Sequence, residues 1–502
     1  MEQRKPRKIN DRAAYRAITD TFRHVSRRQG GGLTVADVVA RTALPLETVK
    51  EYVNDVADEY SARLSVTESG EILYSFPAGF ASRYRGFKAV AGRAFGKIAS
   101  ALRIAGVWLF KVWIMVMLVG YFALFMLIAL AALALSVASS SSQSGNNRRG
   151  NSGGGLFFAS GIFDFIIRIW FYSELAKTFN GRYYDNARQR RPRGKPLYKA
   201  VFSFVFGDGD PNASIETREK QAVISYIQAN KGVISLPEFM VLTGTGTDEA
   251  GSLICAYCSE YGGMPEPTDD GTVVYRFDAL LLRADRSDRT FGGFSAPLKQ
   301  TRKFSSNETK MNIWFSVINS VNLIFGSYFL INALTSGHIL TQRHFDAASY
   351  LYGVTYILMN NMMGNPLPVI IAGLGITPVL FSLFFWLIPL ARYFLLKGGN
   401  EKIKTDNLRK IALAYIWDNP LSVTPDGIKA DLAECRPKNA DAARERVIMD
   451  AGQYSLPEVA VNGNGQTVYS FAGLNREKEA LAKYRAGIKN DASDLGDVVV
   501  SV

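Results

Sequence analysis

Three stretches of this chain repeat one pattern, and a repeated unit narrows the possible folds more than any other feature. The first runs from Leu33-Thr34-Val35 through Gly70 to Tyr74-Ser75-Phe76. The second runs from Ile234-Ser235-Leu236 through Gly271 to Tyr275-Arg276-Phe277, and the third from Leu421-Ser422-Val423 through Gly465 to Tyr469-Ser470-Phe471. Thr34 to Tyr74 and Ser235 to Tyr275 each span 40 positions, and the third copy is seven longer. Each copy predicts an amphipathic helix first (15–25, 222–229, 411–417) and then a Gly or Asn turn. Thr34 stands three residues before Asp37 and Ser235 three before Glu238, the spacing of a capping box opening a second helix. In the third copy Thr424 precedes Pro425, which suits the first helical position. A third helix follows (46–60, 248–261, 441–451). Two alternating segments close the unit around Glu68-Ser69-Gly70, Asp269-Asp270-Gly271 and Asn462-Gly463-Asn464-Gly465, residues that favour hairpins.

Three helices and a hairpin resemble the winged helix-turn-helix, and the resemblance covers roughly 200 of 502 residues. It implies α+β winged-helix domains and raises the question of nucleic acid. DNA binding rests on Lys and Arg that neutralise phosphate, with the third helix in the major groove. The first copy sets Glu47, Glu51, Asp55, Asp58 and Glu59 there against Lys50 alone. The second has Asp248, Glu249 and Glu260, and only the third mixes Arg444 and Arg446 with Asp441, Glu445 and Asp450. The wings add isolated bases such as Arg63 and Arg276. Acidic helices repel phosphate, so a protein partner or self-association is expected rather than nucleic acid.

Four apolar segments lie between the copies. Residues 112–137 are long enough to cross a bilayer as a helix, and 311–334 and 368–396 also read as spans. The last is bent by Pro378 and Pro389 and loosened by Gly373 and Gly375. Residues 156–173 carry Asp164 and Arg168 four positions apart, and either span with the two paired or lie in the interface. Basic residues crowd before the first segment (Arg83, Arg85, Lys88, Arg93, Lys97, Arg103) and after the second (Arg182, Arg188, Arg190, Arg191, Arg193, Lys195). They recur at Arg302, Lys303 and Lys310 and at Lys397, Lys402 and Lys404, whereas 139–155 holds only Arg148 and Arg149 and 335–366 only Arg343. The positive-inside rule then brings both hairpins in and out on the cytoplasmic face, with both termini inside and the plasma (inner) membrane as the site. The net charge of +13 is largely accounted for by these flanks, with Arg83, Arg85, Lys88, Arg93, Lys97, Arg188, Arg190 and Arg191 as contacts for anionic lipid. Residues 84–102 space apolar residues helically among the bases, like an interfacial helix.

Candidate chemistry is sparse. Asp208, Asp210, Asn212 and Glu219 occupy positions one, three, five and twelve of a segment resembling the EF-hand calcium loop, although Ala213 replaces the sixth-position Gly. The alternative is an Asp-rich turn leading into a helix. Cys255 and Cys258 form a C-x-x-C within a predicted helix and Cys435 is alone, so four ligands for zinc or an iron–sulfur cluster are lacking, and buried reduced thiols are expected. His338, His344 and Asp346 fall in the expected outer loop. Asn312, Ser316 and Asn319 recur at helical spacing in the third span, with Gly326 further along, which points to helix packing; a conduction path is the alternative. The sequence holds no P-loop, dinucleotide glycine motif or nucleophile elbow, and no enzyme is expected.

The order of basic linker, Phe206-Gly207-Asp208-Gly209-Asp210-Pro211-Asn212 and a hairpin ending Tyr275-Arg276-Phe277 resembles a family of bacterial and plastid-envelope membrane proteins. Some members carry an iron–sulfur biosynthesis label, which one C-x-x-C and one further Cys do not support chemically. The expected fold is a multi-domain membrane protein with three α+β winged-helix domains and α-helical transmembrane hairpins. The domains are 1–80 (first winged helix), 81–104 (basic juxtamembrane helix), 105–175 (first transmembrane hairpin), 176–215 (basic linker and acidic loop) and 216–285 (second winged helix). They continue with 286–310 (linker), 311–397 (second hairpin), 398–475 (third winged helix) and 476–502 (helix and tail). The expected function is a membrane scaffold or assembly subunit; a membrane-tethered nucleic-acid binder is the alternative and a transporter component a third reading.

Overall fold

The structure is a computed structural model that describes residues 11–28, 32–76, 80, 87–141, 195–284, 296–335, 348–463, 465–488 and 495–501. Helices dominate, with small antiparallel sheets between them. The chain divides into a first unit (Met1–Arg93, Asp210–Arg302, Gly398–Val502) and a second (Ala94–Gly209, Lys303–Lys397).

The chain opens with α1 (Asp11–Arg28), α2 (Val35–Thr42) and α3 (Leu46–Glu59), followed by β1 (Arg63–Thr67) and β2 (Ile72–Ser75). Next come α4 (Phe87–Ser141) and α5 (Leu197–Phe206). A second set comprises α6 (Ile215–Ala229), β3 (Val233–Ser235), α7 (Leu236–Thr243), α8 (Thr247–Tyr261), β4 (Met264–Pro267) and β5 (Val273–Arg276). Then follow α9 (Thr309–Thr335), α10 (Tyr350–Met363) and α11 (Thr377–Asp418). The last set is α12 (Ala440–Gly452), β6 (Glu458–Val461), β7 (Thr467–Ser470) and α13 (Ala472–Gly487), with β8 (Val498–Ser501) near the end.

Both expected capping boxes form. The Thr34 side chain accepts from Asp37 N and that of Ser235 from Glu238 N, while each acid accepts from the cap residue's own N–H. Two of the orphan donors at each helix start are thereby satisfied. The three hairpins turn in the same way. Gly70, Gly271 and Gly465 have φ of +81°, +81° and +76°, a conformation that costs glycine little. The strand registers also match, since Leu64 opposes Tyr74, Pro265 opposes Tyr275 and Val459 opposes Tyr469. On their other side the same tyrosines pair with Leu33, Ile234 and Val423.

One apolar core runs through the first unit. It includes Phe22, Val49, Val53 and Tyr74, then Phe239, Ile254, Tyr261 and Phe277, then Leu408, Ile416, Ile448 and Phe471. Full burial of a side chain such as Phe22 or Phe471 contributes about 1.5–3 kcal/mol. The second unit packs α4, α5, α9 and α11 around Leu118, Phe204, Phe315 and Phe385, and a further cluster around Phe125, Phe329, Tyr352 and Ile370. Among the described residues three helices are long and apolar enough to cross a membrane: Ala101–Ser136, Thr309–Thr335 and Leu367–Asp418.

Several expectations need correction. The third copy has no α-helix in the second-helix position, between Thr424 and α12. Gly427 N donates to the Thr424 hydroxyl at 3.1 Å, but only 3₁₀ turns follow, Pro425–Gly427 and Ala433–Cys435. Pro-Asp-Gly closes a turn more readily than it propagates a helix, and this stretch lies within the copy that is seven residues longer. The basic stretch expected as a separate helix at 81–104 is continuous from Phe87 with α4. The expected outer loop at 335–366 contains α10, whose Tyr352 is buried. The loosening expected at Gly373 and Gly375 is a π-helical segment, Ile370–Ile376, while Pro378 stands in the first turn of α11 and Pro389 lies inside it. Residues 156–173 and His338, His344 and Asp346 lie outside the described residues.

Candidate functional site: seams, strap and hairpin edges

The acids of the two capping boxes also fasten the copies to one another. Asp37, almost fully buried, accepts a hydrogen bond from Ala284 N at 2.9 Å and lies 3.7 Å from Arg283. The Thr34 hydroxyl donates to Leu282 O at 2.7 Å and the Tyr261 hydroxyl to Ala43 O at 3.0 Å. At the second seam the Arg485 guanidinium grips Glu238 with two bonds of 2.8 and 2.7 Å and also donates to Val233 O. The Tyr226 hydroxyl donates to the same carboxylate at 2.7 Å. Lys231 Nζ donates to Arg485 O and Ile488 O, both at 2.9 Å. In each case the acid opening the second helix of one copy meets the segment that follows the hairpin of the next.

Close by, Glu477 is buried and accepts from the Tyr454 hydroxyl at 2.6 Å. Burial pushes its carboxyl up to about 7; the Tyr454 hydrogen bond works against this and the Glu238 charge adds to it. Charged groups of this kind are costly to bury without a cation.

Three asparagines hold the segment after residue 296 like the rungs of a sheet. Asn407 accepts from Lys299 N and donates to Lys299 O, at 2.9 and 2.8 Å. Asn212 does the same with Gln300 at 2.8 Å, and Asn400 with Arg302 at 2.8 and 2.9 Å. An amide carries a donor and an acceptor, so it can satisfy both backbone groups of an extended residue. The expected linker at 286–310 is thus a strap over its described part.

The acidic loop has its own protein partners. Asp208 accepts from Lys195 Nζ at 2.6 Å, Ser203 Oγ at 2.8 Å and Ser306 N at 2.7 Å. Burial works to raise its carboxyl, and the bonds from Lys195, Ser306 and Ser203 overcome that and hold it below the usual carboxylate range. This carboxylate belongs to the second unit and the other three residues to the first. Asp210 pairs with Arg302 at 2.6 Å, and Asn212 belongs to the strap. Glu219 forms a buried ion pair with Lys410 at 2.7 Å, whose ammonium also donates to Pro297 O at 3.0 Å. A cation at Asp208 would have to displace Lys195, one at Asp210 would have to displace Arg302, and one at Glu219 would have to displace Lys410. Among the described residues no three His, Cys, Asp or Glu side chains group so as to hold a metal. Gly207, at φ +85°, lies where a Cβ would come within 2.7 Å of Arg392 Nη2, and Arg392 donates to Phe204 O and Val205 O at the end of α5. Gly207 and Asp208 are thus tied into contacts of the second unit, and Asp210 and Asn212 into contacts of the first.

Of the residues expected to pack helices, Asn319 and Gly326 meet a neighbouring helix, whereas the bonds of Asn312 and Ser316 stay within or next to α9. Asn319 donates to Ser382 O at 3.1 Å, and Gly326 lies against Pro378 and Val379. Ser316 donates to Asn312 O, and Asn312 accepts from Asn307. Asn322, three positions beyond Asn319, is buried too and donates to Leu118 O at 2.8 Å. Sequence reading passed over it, although Asn319 and Asn322 at i and i+3 share a helical face. Lys88, Arg93 and Lys97 fall on α4, whereas Arg83, Arg85, Arg188, Arg190 and Arg191 lie outside the described residues. Of the cysteines, only Cys435 is buried; Cys255 is exposed and Cys258 half-buried, which corrects the expectation of buried thiols. Burial, then the neighbouring Cys255, pushes the Cys258 thiol up to about 11, the opposite of activation.

The outward faces also differ between copies. Glu47, Glu51, Asp55 and Asp58 are exposed on α3, and Asp248 and Glu249 on α8. On α12 Arg444 pairs with Asp441, and Arg409 of α11 pairs with Asp450. The first strands of the three hairpins differ at their outer edges. β8 pairs antiparallel with β1, β4 carries Pro265 and Pro267, and among the described residues β6 pairs with β7 alone.

The chain is similar to an uncharacterized chloroplastic protein of Arabidopsis thaliana, with 25% identity over 411 residues, covering 78% of this chain and 71% of that protein. No family model and no solved structure gives a significant match.

Proposed function

We propose that this chain is an integral membrane scaffold whose three helix-and-hairpin copies are winged-helix modules joined into one docking body for a protein partner. The observation carrying this reading is the pair of seams, Asp37 with Arg283 and Ala284, and Glu238 with Arg485. They fix three modules as one surface instead of three tethered beads. Modules held on one surface raise one another's effective concentration, so modest contacts add up to firm binding. The exposed acids of α3 and α8 favour a basic protein surface over phosphate.

The same seams support two membrane hairpins. The first and second copies touch, so they share one side of any membrane. A crossing by α4 therefore requires a return crossing before Asp210. With the positive-inside pattern, the docking body is cytoplasmic and the membrane is the plasma (inner) membrane. The chloroplastic relative is compatible with a bilayer of bacterial descent, such as a plastid's.

Pull-down from detergent, with and without nuclease, tests the function. Partners retained after nuclease support the docking body; partners lost with nucleic acid favour the membrane-tethered nucleic-acid reading. Labelling of Ser142→Cys or Gly337→Cys from outside intact cells, with Asn230→Cys silent, tests the topology.

A further inference from the structure

We propose that β6 is a strand-pairing edge through which two copies of this chain associate. This deepens the docking reading by naming a partner for one module, a second copy. The argument is a comparison of three equivalent edges. Leu64, Pro265 and Val459 occupy the same register position, each opposite the hairpin tyrosine, and Val66, Pro267 and Val461 occupy the next position facing the same way.

In the first hairpin this edge is filled by the chain itself. Ser65 pairs with Ser501 and Val66 with Val500 of β8. In the second it is closed chemically. Pro265 and Pro267 have no N–H to offer, and β4 still pairs with β5 along its whole length. The N–H groups at these two register positions therefore do not serve the hairpin, and a proline there removes only the outward donor. In the third hairpin the positions hold Val459 and Val461, 62% and 69% exposed, and all four residues of β6 are exposed. Among the described residues no hydrogen bond is recorded from another element to the outer edge of β6.

An open apolar edge without proline, lysine or bulge is a template for another strand. Charge favours a second copy as the occupant. β6 carries only Glu458, and its turn, Asn462-Gly463-Asn464-Gly465, is uncharged. Antiparallel pairing of β6 with itself places the two glutamates at opposite ends, and the contact closes on a two-fold axis. Leu456, two positions before β6, is 89% exposed as well.

The test is the association state of the full-length chain in nanodiscs or liposomes, read by energy transfer between labelled copies at graded dilution. The wild-type chain should self-associate. Val459→Pro with Val461→Pro, which copies the β4 pattern at the matching register, should weaken association about tenfold or more with unchanged melting. A cross-link provides a second measurement that does not depend on proline. With Cys255, Cys258 and Cys435 changed to Ser, single cysteines at 459, 460 and 461 should give linked dimers at one position or more on mild oxidation. Met264→Cys, comparably exposed on β4, should not. A monomeric wild-type chain, or association unchanged by the prolines together with no cross-link at any of the three positions, overturns the inference. A monomer that still captures a nuclease-resistant partner sinks this inference alone; loss of that partner in the wild-type chain is what sinks the docking body.

Discussion

The two seams of the first unit use one device at different strengths. At the first, Asp37 takes a backbone N–H from Ala284 at 2.9 Å and has Arg283 at 3.7 Å. At the second, Glu238 takes both arms of Arg485 at 2.8 and 2.7 Å and the Tyr226 hydroxyl besides. Both carboxylates are almost fully buried. Longer Glu reaches a guanidinium in the planar, two-bond geometry that suits it, whereas shorter Asp is satisfied mainly by the backbone. The acid thus holds the same place after each cap, and the strength of the joint depends on the side chain that meets it.

The largest expected break is at the second seam. Arg485→Ala leaves Glu238 buried without its cation, a loss of about 3–5 kcal/mol, seen as a lower melting temperature of the purified chain. Arg485→Lys should recover only part of it, because an ammonium cannot make the paired contact. The strap gives the next effect. Asn407→Leu removes the amide that serves Lys299 N, Lys299 O and Glu434 O, which should cost about 1–3 kcal/mol and expose the segment after residue 296 to protease.

Glu477 sharpens the comparison by pH. Its folded carboxyl titrates at about 7 against 4.5 ordinarily, so between those values the folded chain keeps a proton that the unfolded chain releases. Stability from this group therefore falls as pH rises from 4.5 to about 7 and levels off above. Glu477→Gln should stabilise the chain by about 1–3 kcal/mol at pH 8 and by little at pH 4, measured by denaturant titration. Arg283→Ala at the first seam should cost about 1 kcal/mol or less, since Ala284 N still serves Asp37. The smallest expected effect is from calcium. Titration of the purified chain should give no binding heat, because Lys195, Arg302 and Lys410 already serve the acids of that loop.

What could be read from the sequence was local. Capping boxes and turn glycines depend on neighbours within a few residues, and both formed as expected, whereas the alternation expected around Tyr469 did not carry into burial, since β6 is exposed and β7 half-buried throughout. What could not be read depends on distant partners. Nothing near Asp210 in the sequence signals its cation, Arg302, which lies 92 positions away. Asn407 gave no signal because its partner, Lys299, is 108 positions away. α10 was read as loop because 14 residues are too few to suggest a span, although its apolar and aromatic content fits the buried Tyr352. The third copy's missing α-helix was foreshadowed by Pro425-Asp426-Gly427, a turn sequence in a helical slot.

The claim on which the rest depends is that the first and second copies form one body on one side of the membrane. Asp37→Cys with Ala284→Cys, in a chain whose native cysteines are Ser, tests it within intact membranes. An engineered protease site between residues 142 and 194 separates the two halves after oxidation. The account predicts that the halves stay joined by a reducible link, at dilutions where copies are far apart. Halves that separate freely, while each remains folded, would contradict it.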